Sequence, residues 1–220
     1  MPKILGSGAE ATVYLNNGDV IKQRSRKSYR HELIDLHLRN TRTRKEAKIL
    51  KALEKHGFAP RLIGQKDNDL MMEYIDGIQL KVLLDKNPKL ASLVGKNLTI
   101  MHDDGMIHGD LTTSNMILAD VKSTDRKSDD KKPKGNELKD NKAKDKRLYF
   151  IDFGLSFNSH KIEDKAVDIH LFKQALESKH YKIADSAYRE FIKAYNPKDK
   201  KEILGRLAIV EQRGRYKEKI

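Results

Sequence analysis

Two polar stretches decide the fold of this chain: His108-Gly109-Asp110-Leu111-Thr112-Thr113-Ser114-Asn115 and Asp152-Phe153-Gly154, the second directly after the apolar run Leu148-Tyr149-Phe150-Ile151. The first has the pattern H-x-D-x-x-x-x-N, and the second is D-F-G. Carboxylate and amide oxygens are typical ligands of hard divalent cations such as Mg²⁺. An aspartate, an asparagine and a second aspartate in this order predict a site that binds a metal ion and supports phosphoryl transfer.

These motifs form the metal-binding and proton-accepting half of a protein-kinase-like site. Asp110 is predicted to accept the proton of an attacking hydroxyl group or water. Asn115 and Asp152 are predicted to bind the metal. The sequence therefore predicts ATP and Mg²⁺ as cofactors.

A glycine-rich segment lies between predicted strands at residues 4–5 and 12–15, and Asn17-Gly18 predicts the turn after the second strand. Small residues let the backbone approach a phosphate group and donate N–H bonds to it. The segment predicted to bind the nucleotide in this way is Gly6-Ser7-Gly8-Ala9-Glu10-Ala11. Val13 follows at the place where the kinase pattern has a residue against adenine. Taken alone, the segment is equally typical of an ordinary glycine turn.

Lys22 ends the strand-like run Val20-Ile21-Lys22 and is predicted to bind the α- and β-phosphates. Such a lysine needs a carboxylate to fix its geometry. Glu46, on the following predicted helix, is the first candidate, and Glu32 is the second. The sequence thus assigns Lys22 and Glu46 to catalysis together with Asp110.

The segment Glu73-Tyr74-Ile75-Asp76 is predicted to join the two lobes. Backbone groups at Glu73 and Ile75 are expected to bind the edge of the adenine. Asp76 either reaches the ribose or is a turn residue before Gly77.

Hydrophobic spacing predicts an α+β chain with a minimal bilobal protein-kinase-like fold. A small β-sheet with one main helix forms an N-lobe at residues 1–75, and a reduced, mostly helical C-lobe follows at 76–212. A helix at 32–56 with a possible break between residues 39 and 43 is expected in the N-lobe. The remaining predicted elements are strands at 61–64 and 70–74 and helices at 90–105, 166–177, 181–195 and 200–212.

Residues 119–147 differ from the rest because nearly all of them are polar or charged and no apolar period exists. Such a segment buries too little surface to offset its ordering entropy, so it is predicted to be a disordered insertion. It lies between predicted strands at 116–118 and 148–151. Because loop-closure entropy grows slowly with length, the insertion need not separate Asn115 from Asp152 in space.

The chain has 220 residues, 38% of them hydrophobic, and a formal net charge of +13. This charge favours a polyanionic partner such as nucleic acid, because the basic residues cluster at 22–30, 39–48 and 213–219. The last of these clusters includes Arg213, Arg215 and Lys217 and opens a predicted basic tail at 213–220. With no cysteine and no apolar run of membrane-spanning length, we expect a cytoplasmic protein with no membrane association.

Asp152 and Asp168 are only sixteen positions apart, which is too short for a regulated activation segment ending in A-P-E. Gly109 occupies the position of the arginine that would pair with a phosphorylated activation loop. Asp168, a lone acid among apolar neighbours, is predicted to accept hydrogen bonds from backbone N–H groups of the H-x-D-x-x-x-x-N loop at 108–115. This segment is called the catalytic loop. His108 is expected to pack against Phe153 and to be structural.

The chain closely resembles the small atypical kinase/ATPase subunits of KEOPS (EKC) complexes, which are minimal relatives of the RIO kinases. The likeness covers essentially the full length. Besides the glycine-rich segment, the catalytic loop and the D-F-G motif, it is carried by Arg42-Thr43-Arg44-Lys45-Glu46-Ala47, Glu163-Asp164-Lys165-Ala166-Val167-Asp168 and Arg213-Gly214-Arg215.

The resemblance implies a Mg-ATP-dependent Ser/Thr kinase/ATPase that supports threonylcarbamoyladenosine modification of tRNA. It also implies a threonylcarbamoyltransferase partner of sugar-kinase-like fold, and a small accessory subunit on the N-lobe. The basic tail, with Arg213, Arg215 and Lys217, is implied to contact tRNA or a protein partner. We expect the free-standing form, with no fused transferase domain. Three alternatives remain: a free Ser/Thr protein kinase, a small-molecule phosphotransferase and a non-enzymatic scaffold that binds ATP as a switch.

Overall fold

An antiparallel sheet of five strands forms the first half of the molecule. The structure is a computed structural model that describes residues 2–8, 10–121 and 146–217, with side chains up to Arg213. The strands are β1 (Lys3–Ser7), β2 (Thr12–Asn16), β3 (Asp19–Gln23), β4 (Leu62–Lys66) and β5 (Asp69–Glu73), in the spatial order β1-β2-β3-β5-β4. The predicted Asn17-Gly18 turn is confirmed, since both residues have positive φ and join β2 to β3. Val13 faces Lys22 across that pair.

One long helix, α1 (Glu32–Leu53), packs on this sheet. The predicted break between residues 39 and 43 is wrong, because the helix is continuous there. The Thr43 hydroxyl donates to the carbonyl oxygen of Arg39 at 2.9 Å, which bonds this polar side chain back to the preceding turn. Ala47, Leu50 and Leu53 are buried, as their spacing predicted.

The second half is mostly helical. Its elements are β6 (Gly77–Gln79), α2 (Leu80–Leu83), α3 (Ala91–Asp103), β7 (Met106–Ile107), β8 (Met116–Asp120), β9 (Lys146–Phe150), β10 (Phe157–Asn158), α4 (Ile162–Lys179), α5 (Ala184–Ala194) and α6 (Lys200–Lys217). Strands β6, β8 and β9 form a three-stranded sheet, and β7 pairs with β10. The fold class is α+β, as predicted. Within the described residues, no helix is both long and apolar enough to span a bilayer.

The insertion predicted at 119–147 is too wide at both ends. Ala119 pairs with Arg147, and Asp120 pairs with Lys146, so all four residues belong to the β8–β9 ladder. Backbone pairing does not require an apolar sequence, which is why composition alone placed these residues in the insertion. The remainder of that prediction, at 122–145, lies outside the described residues.

The basic tail predicted at 213–220 begins inside a helix. Helix α6 continues past residue 212 to Lys217. Arg206 and Arg213 are seven residues apart, so they lie on one face of α6, and both pair with Glu163 at the start of α4 at 3.2 and 2.9 Å. These partly exposed ion pairs connect α6 with the start of α4.

Among the described residues, one large hydrophobic cluster runs through both halves, and a smaller one joins Ile75, Ala119 and Tyr149. The large cluster includes Val20 and Leu70 from the sheet, Leu50 from α1, and Phe153 and Phe172 from the second half. The catalytic motifs thus lie where the two halves meet. The lobe boundary at residues 75 and 76 stays a prediction.

Candidate active site

A cleft of about 590 Å³ opens between the sheet and the second half, which is within the usual size of small-molecule sites. Its apolar walls come from Val13, Val20, Met72, Ile117 and Ile151. The polar groups that line it include Lys22, Glu46, Asn115 and Asp152. The structure therefore brings these four predicted residues together, although up to 130 positions separate two of them in sequence.

Glu46 lies between two buried cations. Lys22 Nζ is 2.8 Å from one carboxylate oxygen of Glu46, and Arg24 Nη2 is 2.6 Å from the other. The predicted Lys22–Glu46 pair is confirmed as a contact. The second candidate, Glu32, instead pairs with Arg26 on the surface. Sequence reasoning missed Arg24, although its spacing of two residues from Lys22 places both on one face of an extended strand.

Asp152 lies at the end of the strand that precedes it, with a left-handed φ of 61°. Its Oδ1 accepts from Lys22 Nζ at 2.6 Å and from the backbone N–H of Gly154 at 3.3 Å. Burial alone would raise the pKa of Asp152, but the charge and hydrogen bond of Lys22 lower it below its usual value. The carboxylate is therefore ionised at neutral pH, and half of its side chain remains exposed.

Asp110 and Asn115 form one unit. The Asn115 Nδ2 group donates to the carboxylate of Asp110 at 2.8 Å and to its carbonyl oxygen at 3.0 Å. The carbonyl oxygen of Asn115 accepts from the backbone N–H of Ile151 at 2.9 Å, which joins this loop to the residue before Asp152. The H-x-D-x-x-x-x-N loop and the D-F-G motif are thus fixed to each other by a backbone bond.

Asp168 holds the beginning of the catalytic loop. It accepts from the backbone N–H groups of His108 and Gly109 at 2.7 and 2.8 Å, which confirms the predicted architectural role. Burial alone would raise the pKa of Asp168. The hydrogen bond and charge interaction with His102 and the backbone N–H of His108 instead lower this pKa below its usual value. Tyr195 extends the network, since its hydroxyl lies 2.6 Å from the other ring nitrogen of His102.

His108 packs against Phe153 with ring centroids 5.1 Å apart, as predicted. Complete burial lowers the pKa of His108, so the ring is neutral at physiological pH. The loop also depends on Gly109, which has a φ of 78° and would place a Cβ atom 2.5 Å from the carbonyl oxygen of Leu155. The glycine at this position therefore allows a close approach of two loops.

Only part of the glycine-rich segment reaches the cleft. Gly6 and Ser7 line it, whereas Gly8, Glu10 and Ala11 do not. Glu10 instead pairs with Arg42 of α1, and Ala9 lies outside the described residues. The nucleotide-binding roles of these residues stay predictions.

The segment that joins the two halves lines the cleft at Glu73 and Ile75 but not at Asp76. Gln79 and Ser114 also line it, and sequence reasoning missed both. Gln79 Nε2 donates to the carbonyl oxygen of Ser114 at 3.1 Å. No motif marked Gln79, since its place in the cleft follows from the pairing of β6 with β8.

The predicted metal ligands fit Mg²⁺ better than a cation that needs a full protein cage. In the parts of the chain that the structure describes, no group of three or more His, Asp or Glu side chains could hold a metal ion. Asn115 and Asp152, the two predicted ligands, both line the cleft and both carry a side-chain oxygen. Mg²⁺ commonly takes one or two protein ligands and completes its shell with phosphate oxygens and water.

Of the three predicted tail contacts, Arg213 pairs with Glu163, while the side chains of Arg215 and Lys217 lie outside the described residues. Contact of these residues with tRNA or a partner therefore stays a prediction.

Comparison with known proteins places these features in a family. A model of the RIO domain matches residues 9–124. The KEOPS complex subunit Bud32 of Pyrococcus abyssi is 36% identical over 99% of this chain and 97% of that protein. The EKC/KEOPS complex subunit BUD32 of Encephalitozoon cuniculi is 36% identical over 96% of this chain and 94% of that protein. A probable bifunctional tRNA threonylcarbamoyladenosine biosynthesis protein of Methanosarcina barkeri is 33% identical over 97% of this chain, but the match spans only 36% of that longer protein.

Solved structures agree on the fold. The Rio2 kinase of Chaetomium thermophilum is 19% identical, with a TM-score of 0.61 over 95% of this chain and 71% of that chain. WaaP in complex with acyl carrier protein is 15% identical, with a TM-score of 0.61 over 98% of this chain and 88% of that chain. At these identities the similarity establishes a kinase-like fold.

Proposed function

Because the chain belongs to the family of RIO-domain proteins that includes the Bud32 subunits of KEOPS complexes, we propose that it is a Mg-ATP-dependent Ser/Thr-kinase-like ATPase subunit. It acts in the cytoplasm and supports threonylcarbamoyladenosine modification of tRNA. The strongest support from the structure is Lys22, which contacts both Glu46 and Asp152 at the cleft. Lys22 and Glu46 are buried charges, and such charges cluster at functional sites. Together with the Asp110–Asn115 pair they form the arrangement expected for phosphoryl transfer.

The walls of the cleft suit ATP. Val13, Val20, Met72 and Ile117 offer apolar surface for an adenine ring, and the backbone between Glu73 and Ile75 runs along the same wall. Lys22 supplies a positive charge to the phosphates at the far end. Glu46 keeps the ammonium group in place because its carboxylate is in turn held by Arg24.

Asn115 and Asp152 are the residues that would hold Mg²⁺, which supplies charge neutralisation on the transferring phosphate when bound. The lowered pKa of Asp152 keeps its carboxylate available for this purpose. Asp110 accepts the proton of the attacking water or hydroxyl group. The Asn115 amide, which donates to Asp110, sets the direction of that carboxylate.

The proposed partners are a threonylcarbamoyltransferase subunit of sugar-kinase-like fold, a small accessory subunit and tRNA. The longer bifunctional relatives support a function in tRNA threonylcarbamoyladenosine synthesis. An accessory subunit on the N-lobe is supported by apolar side chains at the start of α1, where Leu33 is 70% and Ile34 is 58% exposed. The net charge of +13 supports tRNA binding.

The test incubates the purified chain with ATP labelled at the γ-phosphate, with and without the transferase partner and tRNA. Asp152→Ala, which removes a proposed metal ligand, is the control. We expect release of labelled phosphate that rises on addition of partner and tRNA and disappears in the variant. Efficient transfer of label to added proteins, independent of partner and tRNA, would instead establish a free protein kinase.

A further inference from the structure

Thr113 connects the catalytic loop to a distant histidine. It lies between Asp110 and Asn115 and begins the short 3₁₀ turn Thr113–Asn115. Its hydroxyl is 3.0 Å from Nε2 of His180, and both side chains are buried. The other ring nitrogen of His180 is 2.8 Å from the carboxylate of Asp85.

The backbone fixes the place of His180. It follows the last turn of α4, and its N–H donates to the carbonyl oxygen of Leu176 at 2.8 Å. Its own carbonyl oxygen accepts from the N–H of Ile183 at 2.9 Å. The imidazole therefore approaches Thr113 from an ordered helix end.

The chemistry of Asp85 defines the direction of one bond. A carboxylate only accepts, so Asp85 makes Nδ1 of His180 the donor. The second bond joins Nε2 of His180 to the Thr113 hydroxyl, a group that can donate or accept. Because Thr113 is only 2% exposed, this hydroxyl cannot meet a substrate. Its bond orients the loop.

Helix α4 thus holds the catalytic loop at two points. Asp168 binds the N–H groups of His108 and Gly109 at the beginning, and His180 binds Thr113 near the end. At 1.5 Å per residue these two anchors are about 18 Å apart along the helix. The residues between the two attachment points include Asp110, and Asn115 follows two residues after Thr113.

We propose that His180, supported by Asp85, is a positioning residue for the phosphotransfer site. It holds Thr113 so that Asn115, two residues further on, presents its amide to Asp110 and its oxygen to the metal. This inference rests on the proposed function. It predicts that loss of the Thr113–His180 bond weakens Mg²⁺ use and turnover while the adenine and Lys22 side of the cleft remains intact.

The test compares variants of each group. Thr113→Val keeps the shape of the side chain but removes the hydroxyl, and Thr113→Ser keeps the hydroxyl. Asp85→Asn perturbs His180 from a side chain that is 59% exposed, so folding is at little risk. Asp104→Asn is the matched control, because Asp104 makes a similar contact with His56 at 2.7 Å away from the catalytic loop.

ATP hydrolysis and its Mg²⁺ dependence are measured for each variant. We expect Thr113→Val to lower kcat roughly 10-fold and to raise the Mg²⁺ concentration for half-maximal rate, as loss of an outer partner does at metal sites. The KM for ATP should stay unchanged. Thr113→Ser should restore kcat, Asp85→Asn should fall between the two, and Asp104→Asn should match wild type. Wild-type kcat and Mg²⁺ dependence in Thr113→Val would overturn the proposal.

Hydrogen exchange separates this inference from the proposed function. The N–H of Asn115 donates to the carbonyl oxygen of Thr112 at 3.0 Å. If His180 positions the turn, this N–H exchanges faster in Thr113→Val and at the wild-type rate in Thr113→Ser, whether or not the chain hydrolyses ATP. Equal exchange in wild type and Thr113→Val overturns the inference. Absence of ATP turnover in wild type with partner and tRNA present refutes the proposed function alone.

Discussion

Replacing Arg24 with methionine tests whether Arg24, in addition to Lys22, stabilises the buried carboxylate of Glu46. The change keeps an apolar stem but leaves Glu46 Oε2, now 2.6 Å from the guanidinium, without its donor. Removing one member of a buried ion pair costs about 3–5 kcal/mol when the remaining charge has no other partner. Here Lys22 still contacts the other oxygen. We therefore expect a loss near that of one charged hydrogen bond, about 2–3 kcal/mol.

Thermal unfolding measures this loss. For a chain of this size each kcal/mol lowers Tm by about 2–4 °C, so Arg24→Met should lower Tm by about 4–12 °C. The matched control is Arg26→Met, two residues further on. Arg26 pairs with Glu32 at 3.3 Å, but their side chains are 61% and 70% exposed, and such pairs contribute about 0–1 kcal/mol.

A double-mutant cycle shows whether the effect passes through Glu46. In Glu46→Gln, the partner of Arg24 is already neutral, so adding Arg24→Met should cost less than it does in wild type. The difference between the two costs should be about 1–3 kcal/mol. Equal Tm losses for Arg24→Met and Arg26→Met, or strictly additive losses in the cycle, would refute the assignment of Arg24 to this site.

Three further changes address the catalytic loop. Gly109→Ala should lower Tm and abolish ATP hydrolysis, because the new Cβ would lie 2.5 Å from the carbonyl oxygen of Leu155 and the residue has a φ of 78°. The control Gly64→Ala should keep activity, because its Cβ would meet no atom within 4 Å. Burial lowers the pKa of His108, so the unfolded chain binds a proton at this residue more readily than the folded chain does. The free energy of unfolding should therefore fall as the pH drops below about 6.5, by up to about 1.4 kcal/mol per pH unit. In His108→Asn, denaturant titrations at pH 5 and 7 should show a smaller difference than in wild type; an unchanged difference would exclude His108 as the cause. Tyr195→Phe removes the hydroxyl 2.6 Å from His102 and should cost about 1–3 kcal/mol in chemical denaturation, whereas a wild-type midpoint would show that this bond contributes nothing.

The sequence predicted those parts of the site that follow from local spacing. The H-x-D-x-x-x-x-N spacing placed Asp110 and Asn115 in one loop, and the structure adds a direct contact between their side chains. A lone acid among apolar neighbours needs donors, so the assignment of Asp168 to the catalytic loop followed from its surroundings in the sequence. The pairing of Lys22 with Glu46 was also correct, because a strand lysine and a helix carboxylate complete the same motif.

The predicted element boundaries were wrong where backbone hydrogen bonds or contacts with distant residues determine the structure. Helix α1 runs unbroken through Thr43, whose hydroxyl bonds to the carbonyl oxygen of Arg39, although the polar residues at 39–43 suggested a break. Ala119 and Arg147 are paired strand residues within a polar stretch, since the ladder uses backbone groups. The end of α6 pairs with Glu163, a residue of another helix, so composition indicated a tail.

By itself the sequence determined the chemistry of this protein: its carboxylates, its lysine, its small residues and their order along the chain. These properties are local, because residue type sets charge and hydrogen-bonding capacity, and spacing sets which neighbours share a loop or face. Only the tertiary structure decided that Arg24 also meets Glu46 and that His180 meets Thr113. Those contacts join residues 22 to 67 positions apart. The packing of helices and strands brings these residues together, and a local sequence pattern does not predict which distant residues will meet.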